Sequence, residues 1–154
     1  MLFRSFDTIY HVTSFFLSLE NDQIEVIEKR LEVYIETLQE YATLIFIAPT
    51  PVFPTGPESC VLLEKHCTIN KAEDLQRRQP VYDLLKTFER RYEKVFVYDA
   101  YEEICPGTEC VIYDHKADTL TFMDQDHLSV EESVKLSTHF DAWLSKTFDL
   151  SVSQ

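Results

Sequence analysis

Apolar residues at Ile24, Ile27, Leu31, Tyr34, Ile35, Leu38 and Tyr41 recur at steps of three and four, with Glu25, Glu28, Lys29, Glu32 and Glu36 between them. That period predicts an amphipathic helix with one core-facing stripe, opened by Asn21 or Asp22 as N-cap. The apolar run Thr43–Ala48 follows directly and reads as a buried strand, parallel in kind. Helical pattern resumes after Asn70, with Leu84, Leu85, Phe88 and Tyr92 as its stripe and Pro80 marking a break or a first turn. Val95–Tyr98 is then a second short buried strand. Val111–Tyr113 and Thr119–Met123 flank the polar stretch Asp114–Asp118 and predict a small hairpin. The last helix is marked by Ser129 and Glu132, spaced as a capping box, and by Leu136, Phe140, Trp143, Leu144 and Phe148 on one face. Residues 1–20 show no sustained period; Phe15, Phe16, Leu17 and Leu19 suit the end of a strand or a docking loop.

Helix–strand alternation with short connections argues for an α/β fold in three layers, with Thr43–Ala48 and Val95–Tyr98 parallel and adjacent. The final helix is expected to pack on that sheet through Leu136, Phe140 and Trp143. At 154 residues, without repeats, linkers or low-complexity tracts, the chain reads as one domain. Pro49–Cys60 carries four prolines and Gly56, so it reads as a rigid irregular loop. It follows a presumed parallel strand, at the edge where open α/β sheets bind ligands. It is therefore either a site wall or a plain surface loop.

Charge and glycine content remove whole classes of function. Lys and Arg number 14 against 27 Asp and Glu, a net charge of −13. From Asp99 onward the only basic residues other than histidine are Lys116, Lys135 and Lys146. Nucleic acids and anionic membranes need the opposite sign. The only glycines are Gly56 and Gly107. That excludes the dinucleotide-binding and phosphate-cradling glycine loops and the G-x-S-x-G nucleophile elbow, and no nucleotide or other cofactor is implied. The apolar run Phe15-Phe16-Leu17 is too short for a signal or a membrane span.

Four cysteines allow three pairings. Two local loops, Cys60–Cys67 and Cys105–Cys110, are the simplest; reduced buried thiols are the other option. Neither pair is C-x-x-C, and no histidine stands at zinc-finger spacing, which speaks against a structural zinc site. Disulfides would require an oxidising compartment, although nothing here directs export.

The residues best suited to chemistry lie just before the last helix, in Asp124-Gln125-Asp126-His127-Leu128-Ser129. A carboxylate three residues before a loop histidine can hold the ring's tautomer and stabilise its cation, leaving the other nitrogen as a base. The plain alternative is a solvated loop histidine. His11, His66 and His139 read as surface or satisfied-core residues. His115 stands in the hairpin tip with Asp114 and Asp118, where a polar turn is the plain reading and a carboxylate–imidazole metal site the other.

The order Cys105…Cys110, hairpin, Met123-Asp124-Gln125-Asp126-His127-Leu128-Ser129, helix resembles the end of the SGNH domain fused behind the membrane part of acyltransferase-3-type O-acyltransferases. The strand Leu44–Ala48 running into Pro49-Thr50-Pro51, with a cysteine following, resembles that family's apolar strand and Pro-x-Pro segment. The resemblance covers about residues 24–148. It implies an incomplete flavodoxin-like three-layer sandwich with a mostly parallel sheet, and acyl-ester transfer or hydrolysis. It also implies His127 as general base for a serine, with Asp124 as its orienting partner and the adjacent Asp126 able to substitute. Substrates in that lineage are acyl esters or carbohydrates. Full-length relatives carry a membrane acyltransferase domain and hold this domain on the extracellular or lumenal side.

The chain departs from the family in its nucleophile. No glycine precedes position 56, and no Asp-Ser dipeptide occurs. Ser5, Ser14 and Ser18 lack the Gly-Asp-Ser context, and Asn21 heads a helix. The expectation is an N-terminally truncated domain without its first strand and nucleophile loop, retaining the histidine and aspartate but inactive alone. A non-catalytic α/β interaction module or degenerate paralogue is the alternative. A small acidic protein unrelated to the family is a third.

Overall fold

The computed structural model describes residues 8–11, 21–65 and 67–149. The chain divides into two compact units, residues 1–49 with 76–99, and residues 50–75 with 100–154.

The first unit is built from β1 (Thr8–His11), α1 (Asn21–Leu38), β2 (Leu44–Ile47), the larger part of α3 (Lys71–Arg91) and β4 (Val95–Tyr98). Its sheet runs β1-β2-β4, with both pairings parallel and Leu44 and Val95 in register. The two crossovers carry α1 and α3, as parallel pairing requires. β1 lies where no period was legible in the sequence.

Leu44, Phe46, Ala48, Val95 and Val97 alternate onto one sheet face and pack with Ile35 of α1 and with Val81, Leu85 and Phe88 of α3. Ile45, on the opposite face, is also fully buried. Burial of both faces explains why β2 is apolar throughout instead of alternating. The edge strand β4 meets a side chain where a further strand would pair: Val97 N–H donates to Glu89 Oε1 at 2.7 Å.

Two local expectations are corrected. Tyr34 and Tyr41 stand off the stripe of α1, exposed. Pro80 neither breaks nor begins a helix; it lies inside α3. Its ring leaves one carbonyl without a helical donor, but Val81, Leu85 and Phe88 directly after it are anchored in the core and hold the helix through that point.

The second unit holds the short elements. α2 (Pro57–Leu63) fills part of the proline-rich segment read as irregular, with Pro57 at its first turn and Glu64 closing it in the left-handed region. β3 (Thr68–Asn70) pairs antiparallel with β5 (Glu109–Val111). The expected hairpin forms from β6 (Tyr113–Asp114) and β7 (Thr119–Leu120). α4 (Tyr101–Ile104) precedes the Cys105 loop, and α5 (Val130–Thr147) closes the unit. None of the residues of α5 is fully buried; Leu136, Phe140, Trp143 and Leu144 are half-buried, and within its unit the helix meets α4.

A small parallel sheet with crossover helices, together with separate antiparallel strand pairs, makes the chain α/β, as an incomplete flavodoxin-like sandwich would be. Both cysteine pairs are disulfides, Cys60–Cys67 and Cys105–Cys110.

Candidate functional site

The loop between β7 and α5 is shaped by one carboxylate. Asp124 Oδ1 accepts the backbone N–H of Asp126 at 3.0 Å and of His127 at 2.8 Å, folding the chain into a tight turn. The other oxygen, Oδ2, lies 2.8 Å from His127 Nδ1. Because both oxygens belong to one rigid group, the turn that presents His127 also orients its ring. Asp126 stands farther off, with Oδ1 at 3.3 Å from the same nitrogen. Of the two carboxylates, Asp124 is thus the closer partner, and His127 Nε2 is left unengaged by it.

The electrostatics follow from these contacts. The two backbone N–H donors, helped by the imidazole, hold the Asp124 carboxyl down to about 2. His127 moves the opposite way: its hydrogen bond to Asp124, then the charges of Asp124 and Asp126, raise it above the ordinary histidine value. The ring is largely exposed, its side chain keeping 66% of its accessible surface. Coulombic effects there are screened by water.

The turn rests on a packed base. Phe122, fully buried, sets its ring 5.1 Å from that of buried Phe53. Phe122 itself makes an isolated antiparallel bridge to Leu128, and Met123 N–H donates to the His127 carbonyl at 2.8 Å. From the proline-rich segment, Phe53 N–H donates to the Gln125 carbonyl at 2.8 Å and the Thr50 hydroxyl to that of Asp126 at 3.4 Å. Gln125 Nε2 reaches back to the Pro54 carbonyl at 3.3 Å. Residues Thr50–Pro54 are therefore bonded to the turn that carries His127. Thr50 and Gln125 have no sequence signature for these bonds, since each contact spans more than seventy residues.

Ser129 closes the turn. Its Oγ accepts Glu132 N–H at 3.1 Å, the expected N-cap. The capping box is only half formed, because Ser129 N–H donates to the Thr121 carbonyl instead, and Glu132 pairs with Lys135 at 2.9 Å. Of the serines considered as nucleophiles, Ser5, Ser14 and Ser18 lie outside the described residues, as does His66. Asp124, Asp126 and His127 bring ligand-type atoms together, but hydrogen bonds within the turn account for that proximity. The hairpin tip departs from a metal-type arrangement: Asp114 caps the turn by accepting Lys116 and Ala117 N–H, and Asp118 accepts the Tyr113 hydroxyl. The His115 ring packs edge-on against Tyr113.

Searches of curated proteins and of solved structures give no match. The family model described as "SGNH domain (fused to AT3 domains)" matches residues 4–142. The match extends further toward the N-terminus than the motifs alone had suggested, and takes in β1 and α1. Among the described residues no helix is long and apolar enough to cross a membrane. With nine-tenths of its length inside that family model, from β1 to the last helix, the chain belongs to the SGNH domain family of the kind fused to AT3 domains.

Proposed function

We propose that this chain carries the proton-transfer half of an acyl-ester transferase or hydrolase site, with His127 as general base and Asp124 as its orienting partner. The observation that carries the reading is the 2.8 Å contact between His127 Nδ1 and a carboxylate fixed by two backbone donors. With Nδ1 so engaged, the neutral ring presents Nε2 as acceptor, the nitrogen that takes a proton from an attacking hydroxyl. The raised pKa makes the ring a stronger base, and a step that needs it neutral would rise with pH through a value above that of an ordinary histidine.

Acyl transfer also needs a nucleophile and oxyanion donors. The 154 residues contain no Gly-Asp-Ser block, and Ser129 is engaged in capping its helix. On this reading the chain alone lacks ester turnover. The substrate class is an acyl ester or acylated carbohydrate, with a membrane acyltransferase domain as the covalent partner in full-length relatives. The same missing block supports a second reading, a non-catalytic α/β module in which the turn is retained as structure.

Hydrolysis of a short aryl ester tests the proposal. Turnover by the chain should be linear in ester concentration and the same in His127→Ala. Saturable turnover lost in that variant would show a nucleophile within the chain. A His127 ring that titrates at the ordinary histidine value would instead remove the base role and leave the structural module.

A further inference from the structure

The Cys60–Cys67 disulfide does not stand alone: His115 Nε2 lies 3.4 Å from Cys60 Sγ and 3.7 Å from Cys67 Sγ. The three residues come from different segments, α2, the turn before β3, and the tip of the β6–β7 hairpin. Each is held independently. The Cys60 carbonyl accepts Glu64 N–H at the end of α2, and the Cys67 carbonyl accepts Ile112 N–H at 2.9 Å. His115 packs edge-on against Tyr113, beside the turn that Asp114 caps.

Two thiolates and an imidazole are the donor set that Zn(II) takes in tetrahedral sites. Zinc–sulfur bonds of about 2.3 Å and zinc–nitrogen bonds of about 2.0–2.1 Å at tetrahedral angles put sulfur and nitrogen about 3.6 Å apart. Both sulfur–nitrogen separations here already stand near that spacing. Only the two sulfurs must separate, to about 3.8 Å in the same geometry, which breaking their bond allows. Cys60 is fully buried, Cys67 half-buried and His115 exposed, so an ion arriving from solvent has one open side. The net charge of −13 favours a cation's approach.

We propose that Cys60, Cys67 and His115 form a Zn(II) site whenever the Cys60–Cys67 disulfide is reduced, so that this corner of the fold is closed either by a disulfide or by a metal. A dithiol supplies the two electrons and two protons: it becomes a disulfide as Cys60 and Cys67 become thiols. Zinc then displaces both thiol protons, binds His115 Nε2, and keeps a water in the fourth position. The sulfurs cannot be paired and metal-bound at once. Oxidation therefore expels the ion.

Co(II) substitution reads the site without reference to any activity. The full chain, reduced with a phosphine that does not itself bind metal, is titrated with Co(II). One equivalent should give thiolate-to-cobalt charge-transfer bands and tetrahedral visible bands, all displaced by Zn(II). The oxidised chain should give none. His115→Ala, at an exposed position that does not endanger folding, should weaken Co(II) binding at least about 10- to 100-fold, the loss seen even when groups behind a ligand are removed. The Cys105→Ser/Cys110→Ser variant, which lacks the other pair of thiols, should bind as the parent does. Absence of thiolate bands in the reduced chain overturns the proposal. So does unchanged affinity in His115→Ala. If the Cys105→Ser/Cys110→Ser chain fails to fold, Cys60→Ser in the otherwise intact chain decides the same point: bands that persist there assign the metal to the other thiols and overturn it.

Discussion

The turn that presents His127 stands on the Phe53–Phe122 pair, so truncating Phe122 should disturb both stability and site. Phe122 is fully buried and Phe53 nearly so, with ring centroids 5.1 Å apart at a tilt of 57°. Deleting a buried phenyl ring costs about 3–5 kcal/mol from lost burial and the cavity left behind. About 0.5–1.5 kcal/mol of that belongs to the ring pair itself. Set against a total stability of about 5–15 kcal/mol for a domain, Phe122→Ala removes about a fifth or more. Urea unfolding followed by fluorescence suits the measurement, because the single tryptophan, Trp143, lies on α5 in the same compact unit. The midpoint should fall with little change in slope. Phe53→Leu, Phe122→Leu and the double variant then isolate the pair, with a coupling of about 0.5–1.5 kcal/mol. A Phe122→Ala loss below about 1.5 kcal/mol would refute the reasoning, being well short of the value for a buried ring. Leu variants that add within about 0.3 kcal/mol would show the rings to be uncoupled.

Asp124→Asn should lower the His127 pKa toward the ordinary histidine value, seen as a shifted midpoint in the ring's proton NMR titration. An unmoved midpoint would mean that Asp124 does not govern the ring. The same pair sets a pH window for stability. The depressed Asp124 contributes above the ordinary carboxylate range, about 4, and is lost as pH falls through about 2. The raised His127 contributes in full below about 6.5 and is lost as pH rises through its folded value. Parent and Asp124→Asn should therefore differ most between about pH 4 and 6.5, and a difference that keeps growing above neutrality would contradict the assignment. Ser129→Ala should cost about 1 kcal/mol through the lost N-cap and fray α5 in amide hydrogen exchange; protection equal to the parent's would show the cap to be idle.

The sequence by itself determined the elements whose information is local. The 3.6-residue stripes placed α1, α3 and α5, and the apolar runs placed β2 and β4, because burial of one helix face or of both strand faces writes itself into neighbouring residues. The turn of Asp124 and His127 was legible for the same reason: its contacts span only two or three positions. What the tertiary structure decided lies between segments far apart in the chain. β3 and β5 are three residues each, too short for a period, and exist as strands because they pair across about forty positions. Pro80 signals a helix end, yet the core contacts of Val81, Leu85 and Phe88 outweigh the lost backbone bond. The capping box lost its second half to a strand contact, since Ser129 N–H met the Thr121 carbonyl and could be satisfied only once. His115 reaches the Cys60–Cys67 sulfurs across 55 and 48 positions, a distance that zinc-finger spacing does not contemplate. Periodicity records which face of an element is buried. It carries no record of which distant segment does the burying, and here that choice bonded Thr50–Pro54 to the His127 turn and brought His115 against the two sulfurs.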